Sequence, residues 1–278
     1  MRREPFDVAS GTRRLVIVEL VVRTPKQSNE SDMPNDPYLD ASVAWRIKSG
    51  NIDFKEARYE SVVESILSSG LATNVKALIS AGKEADVYLA GYRDAPIAVK
   101  VYRLYRTSHR GGRPIKLDSL GWMAAKEYEM THQAWKGGAR VPTPARRVEN
   151  MFSMRYLGDE AGPAPRLQDV ELGSPKDFLE DVLHGVKALS VAGVVHSDLS
   201  AFNILVFEGE PWFIDLSEAI RVDRTGTSPW MRLQEASNAL TSGLNALDQY
   251  FGKYGLEIEV ESVVSRLVRS LDRFGVLE

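Results

Sequence analysis

Residues 194–215 most narrowly restrict how this chain can fold. A polar loop, His196-Ser197-Asp198, is caught between the apolar run Val194-Val195 and a second apolar run, Ile204-Leu205-Val206. A Glu208-Gly209-Glu210-Pro211 turn follows, and then Trp212-Phe213-Ile214 ends on Asp215. Short apolar runs bounded by turns are the pattern of buried strands. A loop clamped between two buried segments holds its side chains rigidly. Asp198, Asn203 and Asp215 are therefore polar groups fixed against an interior, with the two acids expected to face one cleft.

The chain around them has 278 residues, enough for two lobes that share a cleft or for one domain with extensions. Its hydrophobic share of 44%, charged share of 26% and net charge of -3 are those of an ordinary globular protein with no global pull toward nucleic acid or membrane. There is no cysteine, which excludes disulfides, thiolate metal sites and cysteine nucleophiles and fits an intracellular location, taken as cytoplasmic. The apolar run 15–22 follows Arg13 and Arg14 but is broken by Glu19 and too short to span a bilayer, so a strand is expected there and no membrane partner.

Residues 25–37 have linker composition, which makes residues 1–40 an appended arm. Asp53 is placed to cap a helix carrying Phe54, Ala57, Val62, Val63, Ile66 and Leu67, with Gly70 past its end. Strands are expected over 75–79, 87–90, 97–101 and 151–156, with turns at Gly82, Gly91 and 94–96, and a helix over 123–135 closed by Gly137 and Gly138. Residues 158–165, rich in Gly, Ala and Pro, resemble a hinge. Ser174 and Pro175 then open a helix with Phe178, Val182, Val186 and Leu189 on one face, ended by Gly193. Further helices fit 235–251 and 260–274. The expected organisation is an extension over 1–45, a helix and β-rich N-lobe over 46–158, and a helical C-lobe over 159–278, an α+β fold.

In phosphoryl transfer one carboxylate orients the acceptor and takes its proton, and a nearby amide oxygen helps hold Mg2+ against the phosphates. Asp198 and Asn203, five positions apart, suit those roles, and Asp215 suits the principal Mg2+ ligand. His-x-Asp-x-x-x-x-Asn followed by a strand-end Asp matches the catalytic and metal loops of the kinase superfamily, so the fold expected is two-lobed and protein-kinase-like. His196 is read as a brace for the loop rather than a titrating group. Upstream, Lys100 stands in the apolar strand Ala98-Val99-Lys100, where a charge is costly unless paired or bound to an anion. Glu127 on the following helix is its expected partner, leaving the ammonium for ATP phosphates. The segment Ser80, Ala81, Gly82, Lys83, Glu84, Ala85, Asp86, Val87 bridges two strands as a phosphate-covering loop, although it has a single glycine.

These segments together resemble the RIO family of atypical serine/threonine protein kinases and ATPases. The likeness rests on Ser80 through Tyr88, on Ala98 through Tyr102, on Lys126-Glu127-Tyr128, on Val141-Pro142-Thr143-Pro144, on His196 through Leu205 and on Ile214-Asp215-Leu216-Ser217-Glu218-Ala219. Ordinary protein kinases carry Asp-Phe-Gly at the last of these. The resemblance implies ATP and Mg2+ as cofactors, Asp198 as the catalytic aspartate with Lys100 and Glu127 in support, Asn203 and Asp215 as metal ligands, and an adenine hinge that includes Met154 and Tyr156. Arg155 stands where relatives carry an acidic residue. Only 63 residues follow Asp215 (278 minus 215), without Ala-Pro-Glu, so the fold is expected to be truncated after the metal loop. The resemblance further implies autophosphorylation and a role in small ribosomal subunit maturation. The basic residues of 103–116 are a candidate contact for pre-ribosomal RNA or protein, with Thr107 and Ser108 as candidate phosphorylation sites. Competing readings are a small-molecule kinase of the aminoglycoside or choline phosphotransferase kind and a nucleotide-gated assembly factor.

Overall fold

The computed structural model describes residues 59–81, 84–102, 119–222 and 229–271. The expected extension, the start of the first helix with its Asp53 cap, the loop residues Gly82 and Lys83 and the basic segment 103–116 lie outside these residues. The first described element is helix α1 (Tyr59–Ser68), which turns Val62 and Ile66, four positions apart, into the interior. Gly70 follows at φ +68°, a left-handed conformation that suits glycine at a helix exit.

Five strands follow: β1 (Asn74–Ala81), β2 (Ala85–Tyr92), β3 (Ala95–Tyr102), β4 (Pro144–Val148) and β5 (Met151–Arg155). They form one antiparallel sheet in the order β1-β2-β3-β5-β4. Helix α2 (Ser119–Lys136) is inserted between β3 and β4. Side chains alternate across a strand, and both faces of β3 are covered. Val99 and Val101 join Val62, Ile66, Tyr88 and Ala90 in one core cluster, while Ala98 and Lys100 line the cleft on the other face. The turn before β3 is Arg93-Asp94 rather than 94–96, with Arg93 at φ +55°. Pro96 sits inside β3 beyond the reach of β5, whose pairing starts at Ile97, so its missing N–H costs no bond to that neighbour. Strand β4 was not expected. Its sequence, Pro-Ala-Arg-Arg-Val, reads as a loop, and only its place at the sheet edge makes the proline and the exposed arginines tolerable.

The expected hinge 158–165 contains a two-residue ladder, β6 (Gly158–Asp159) against β7 (Gly162–Pro163). Helix α3 (Pro175–Val191) starts where Ser174 and Pro175 place it, but the Ser174 hydroxyl makes no capping bond, so the start rests on Pro175 at the first turn. Strand β8 (Val194–Val195) pairs with β11 (Ile220–Arg221), and β9 (Ile204–Phe207) pairs with β10 (Glu210–Phe213). Helices α4 (Pro229–Gly252) and α5 (Val260–Leu271) complete the lobe. Its core joins Val182, Val186 and Leu189 of α3, Leu240, Leu244 and Leu247 of α4 and Leu267 of α5 with Leu199, Ile204 and Phe213 from the loop region. The architecture is a β-sheet lobe and a helical lobe meeting at a cleft, an α+β fold of the two-lobed kinase-like kind. No helix among the described residues is long and apolar enough to cross a membrane.

Gly185 of α3 lets the helix lie directly on Phe213, two residues before Asp215; a Cβ there would fall 2.2 Å from the Phe213 ring. Gly185→Ala is expected to destabilise the protein by about 1–3 kcal/mol in urea unfolding despite the better helix propensity of alanine. Gly252→Ala, whose Cβ meets nothing within 4 Å, should be neutral or slightly stabilising in the same measurement.

Candidate active site

Lys100, Glu127, Asn203 and Asp215, with Ser80, Ala85, Val87, Met154 and Tyr156, converge from both lobes onto a cleft of about 280 Å3. Its roof is the sheet, with Ile79, Ser80, Ala85, Val87 and Ala98. Met154, at the end of β5, and Tyr156 and Leu157, in the segment that follows it toward the second lobe, form one side, and Leu205 and Ile214 come from the C-lobe. Lys100, Glu127, Asn203 and Asp215 supply polar groups on one side, and Ser80, Thr131, Arg155 and Arg166 also line the cleft. Asp198 and Glu84 do not line this cavity. Gly82 and Lys83 lie outside the described residues.

Lys100 is the electrostatic centre. Its Nζ lies 2.8 Å from Glu127 Oε1 and 3.0 Å from Asp215 Oδ1. The side chains of Lys100 and Glu127 are 11% and 4% exposed, against 46% for Asp215, so the first pair is sealed while the third group is open to a ligand. Burial alone would depress the lysine, yet the two carboxylates outweigh it and hold its pKa above the ordinary value. The neighbouring ammonium pulls Asp215 down to about 2 against the opposing effect of burial, with Ser217 adding a hydrogen bond. Glu127 is pushed upward by burial, which the Lys100 charge only partly offsets.

The loop after β8 is held by a second set of bonds. Asn203 Nδ2 donates to the Asp198 carbonyl oxygen at 2.8 Å and to Asp198 Oδ2 at 2.9 Å. Ile214 N–H in turn donates to the Asn203 carbonyl oxygen at 3.0 Å, so the Asp198 loop and the Asp215 turn are tied through one residue. Asp215 itself adopts φ +62°, a left-handed conformation uncommon outside glycine. Its neighbour Ile214 is bonded on both sides, because the Ile214 carbonyl oxygen lies 2.9 Å from His196 Nε2. The surroundings thus impose the turn. His196 is buried, and burial lowers its pKa despite the Ile214 carbonyl, Asp215 and Asp198. The neutral ring carries its proton on Nε2, donates it to Ile214, and accepts the Asp198 N–H at Nδ1, 3.3 Å away. That is a bracing role.

Sequence reasoning overlooked Tyr102, whose hydroxyl donates to Glu127 Oε2. The signal was present, since Ala98, Lys100 and Tyr102 alternate onto one face of β3. Leu205, the residue two places after Asn203, and Ile214, just before Asp215, were placed in apolar runs without being assigned to the cleft. Arg155 turns its guanidinium over the rings of Phe207 and Trp212, at 5.6 and 5.1 Å, so its charge is engaged with the β9–β10 hairpin of the opposite lobe.

Fold and site together define a two-lobed kinase-like protein with a buried lysine at a nucleotide-sized cleft. The RIO domain family model matches residues 86–263, more than half of the chain. A RIO-type serine/threonine-protein kinase Rio1 of Haloferax volcanii is 32% identical over 169 residues, covering 55% of this chain and 58% of the relative. The serine/threonine-protein kinase RIO1 of Caenorhabditis elegans is 26% identical over 250 residues, covering 80% of this chain and 47% of the relative. The chain spans about half the length of these curated relatives. Among solved structures, the Rio2 kinase-ADP/Mg2+-phosphoaspartate complex from Chaetomium thermophilum superposes with a TM-score of 0.56 at 19% identity, covering 84% of this chain and 79% of that one. This chain belongs to the RIO family.

The depressed pKa of His196 has a stability consequence. The unfolded chain takes up a proton near pH 6.5 that the folded ring resists, so this contribution is present above that pH and is lost as pH falls toward the folded value. Urea unfolding followed from pH 8 to 5 should show falling stability, and His196→Gln should flatten that dependence.

Proposed function

We propose that this chain is a RIO-type atypical serine/threonine kinase and ATPase that uses Mg-ATP, phosphorylates itself, and acts in the cytoplasm in small ribosomal subunit maturation. The observation that carries the phosphotransferase reading is the meeting of Lys100, Asn203 and Asp215, with Glu127 behind the lysine, at one cleft whose remaining walls are largely apolar. The family likeness and the names of the relatives, serine/threonine-protein kinases, support it. The ribosomal role rests on the family likeness alone.

The residues present fit a nucleotide and a hard cation. Val87 and Ala98 above and Leu205 and Ile214 below suit a flat base, with hydrogen bonding left to the main chain of 154–157. Asn203 spends its amide nitrogen on Asp198, which leaves Oδ1 as an acceptor, and the carboxylate of Asp215 is half exposed toward the cleft. With one Asp and one Asn from the protein, Mg2+ would take its remaining ligands from phosphate and water. When bound, Mg2+ offsets the charge of the phosphate oxygens.

Lys100, fixed by Glu127, presents its ammonium to the phosphates and stabilises charge there without rearrangement. Asp198 has one oxygen held by Asn203, so the other can orient an acceptor hydroxyl and take its proton. His196 keeps the Asp198 and Asp215 backbones in register. The solved relative described as a phosphoaspartate complex supports Asp215 as a further acceptor. In that step a carboxylate oxygen bonds the γ-phosphorus as the bond to the ADP oxygen breaks, giving an acyl phosphate and ADP. Water then returns carboxylate and phosphate, which is net ATP hydrolysis.

Mass spectrometry after incubation with Mg-ATP, with and without hydroxylamine, tests this reading. The wild-type protein should carry self-attached phosphate, with a hydroxylamine-labile fraction on Asp215. Asp198→Asn should lower turnover by about 10²–10⁴-fold while Mg-ATP binding persists, and Asp215→Asn should remove both Mg2+-dependent turnover and the labile label. Wild-type turnover in both variants would overturn the reading. Rapid phosphorylation of an aminoglycoside or amino alcohol without self-labelling would replace it with the small-molecule kinase.

A further inference from the structure

We propose that Tyr102 is a positioning residue of this site, holding the Glu127 carboxylate, and through it the Lys100 ammonium, in the orientation that meets the phosphates. A carboxylate has two oxygens, and those of Glu127 are divided: Oε1 lies 2.8 Å from Lys100 Nζ, and Oε2 accepts the Tyr102 hydroxyl. All three residues are enclosed, with Tyr102 at 0%, Glu127 at 3% and Lys100 at 9% exposure. In a place closed to water an oxygen without its donor is costly, so the hydroxyl fixes rotation of the carboxylate as well as its charge. One ammonium faces two carboxylates here, leaving a surplus negative charge, and the Tyr102 O–H dipole lies on the sealed side of that surplus.

The tyrosine is itself held from three directions. It is two residues beyond Lys100 on β3 and therefore on the same face, with the Lys100 Nζ 5.4 Å from its ring centroid. Its backbone N–H donates to the Asn150 carbonyl oxygen at 3.0 Å, and its carbonyl oxygen accepts Asn150 Nδ2 at 2.9 Å. Asn150 lies in the tight β4–β5 turn, next to Glu149 at φ +49°. A turn at the sheet edge thus fixes the end of β3, the end of β3 aims a hydroxyl, and the hydroxyl fixes the acid that fixes the lysine. Tyr102 is not among the residues that line the cleft, which separates positioning from catalysis.

This inference rests on the nucleotide-site reading only for its phosphate-specific arm. Tyr102→Phe keeps the ring and removes the hydroxyl. Calorimetric binding of Mg-ATP should weaken about tenfold, while adenosine, which has no phosphate to meet Lys100, should bind as to wild type. Acylation of Lys100 by an amine reagent at pH 8 without nucleotide, quantified by mass spectrometry, should quicken about fivefold as the ammonium loses its anchored partner. Equal weakening for both ligands, or unchanged Mg-ATP binding with unchanged Lys100 acylation, would overturn the proposal. If the wild-type protein binds no Mg-ATP, the nucleotide reading falls, and the acylation comparison alone decides the role of Tyr102: faster supports it and unchanged overturns it. Should Tyr102→Phe fail to fold, Asn150→Ala takes its place, with the same pattern at about threefold expected and no change in either measurement overturning the idea.

Discussion

The sealed ammonium of Lys100 is the constraint on which the two halves of this molecule depend. A charge in the middle of an apolar strand is tolerable only with partners, and breaking such a buried pair costs about 3–5 kcal/mol. The partners come from α2, 27 positions along the chain, and from the turn after β10, 115 positions along it. The same bonds that make the lysine tolerable therefore pull a helix onto the sheet and hold the C-lobe turn beneath it. The three groups differ in access, since Lys100 and Glu127 are sealed and Asp215 is half open. A ligand approaching the cleft meets the one carboxylate that can change partners without uncovering the pair behind it.

Below the cleft, precision comes from main-chain bonds rather than from charge. Asn203 spends its amide on the Asp198 loop and its carbonyl on Ile214, and His196 closes the circuit from Ile214 back to Asp198. The loop carrying these groups lies on a core of Leu199, Ile204 and Phe213 that is filled by α3 and α4 through close contacts at Gly185 and Gly243. The unusual backbone of Asp215 is affordable because its neighbours are fixed on both sides. Between the lobes, Arg155 on the β5 end packs over Phe207 and Trp212, and Arg140 pairs with Glu210, so contacts outside the cleft also join the halves.

Most of the fold was legible because its signals are local. Helix α3 announces itself through Pro175 and a 3.6-residue apolar period, and β2, β3, β9 and β10 through short apolar runs between turns. Strand β4 was not legible, because a proline and two arginines make a strand only at a sheet edge, and edges exist only once the sheet has formed. The turn before β3 was placed one residue late at its start and two at its end because Pro96 usually marks a turn, whereas here it occupies a strand position beyond the end of β5. Ser174 stands at the expected helix start, although its hydroxyl makes no capping hydrogen bond.

The sequence by itself marked the polar groups of the candidate site: Lys100 in its apolar strand, Asp198 and Asn203 in their loop, Asp215 at a strand end, although of these only Lys100 is buried. It did so because charge embedded in apolar sequence is rare without a purpose, and that signal needs no coordinates. Only the tertiary structure decided how they divide the work. It gave Lys100 two carboxylates rather than one, turned Asn203 onto Asp198, set which nitrogen of His196 meets which partner and brought in Tyr102. These are matters of distance and direction between segments as far as 115 residues apart, and periodicity along a chain carries no information about which oxygen of a carboxylate faces which donor.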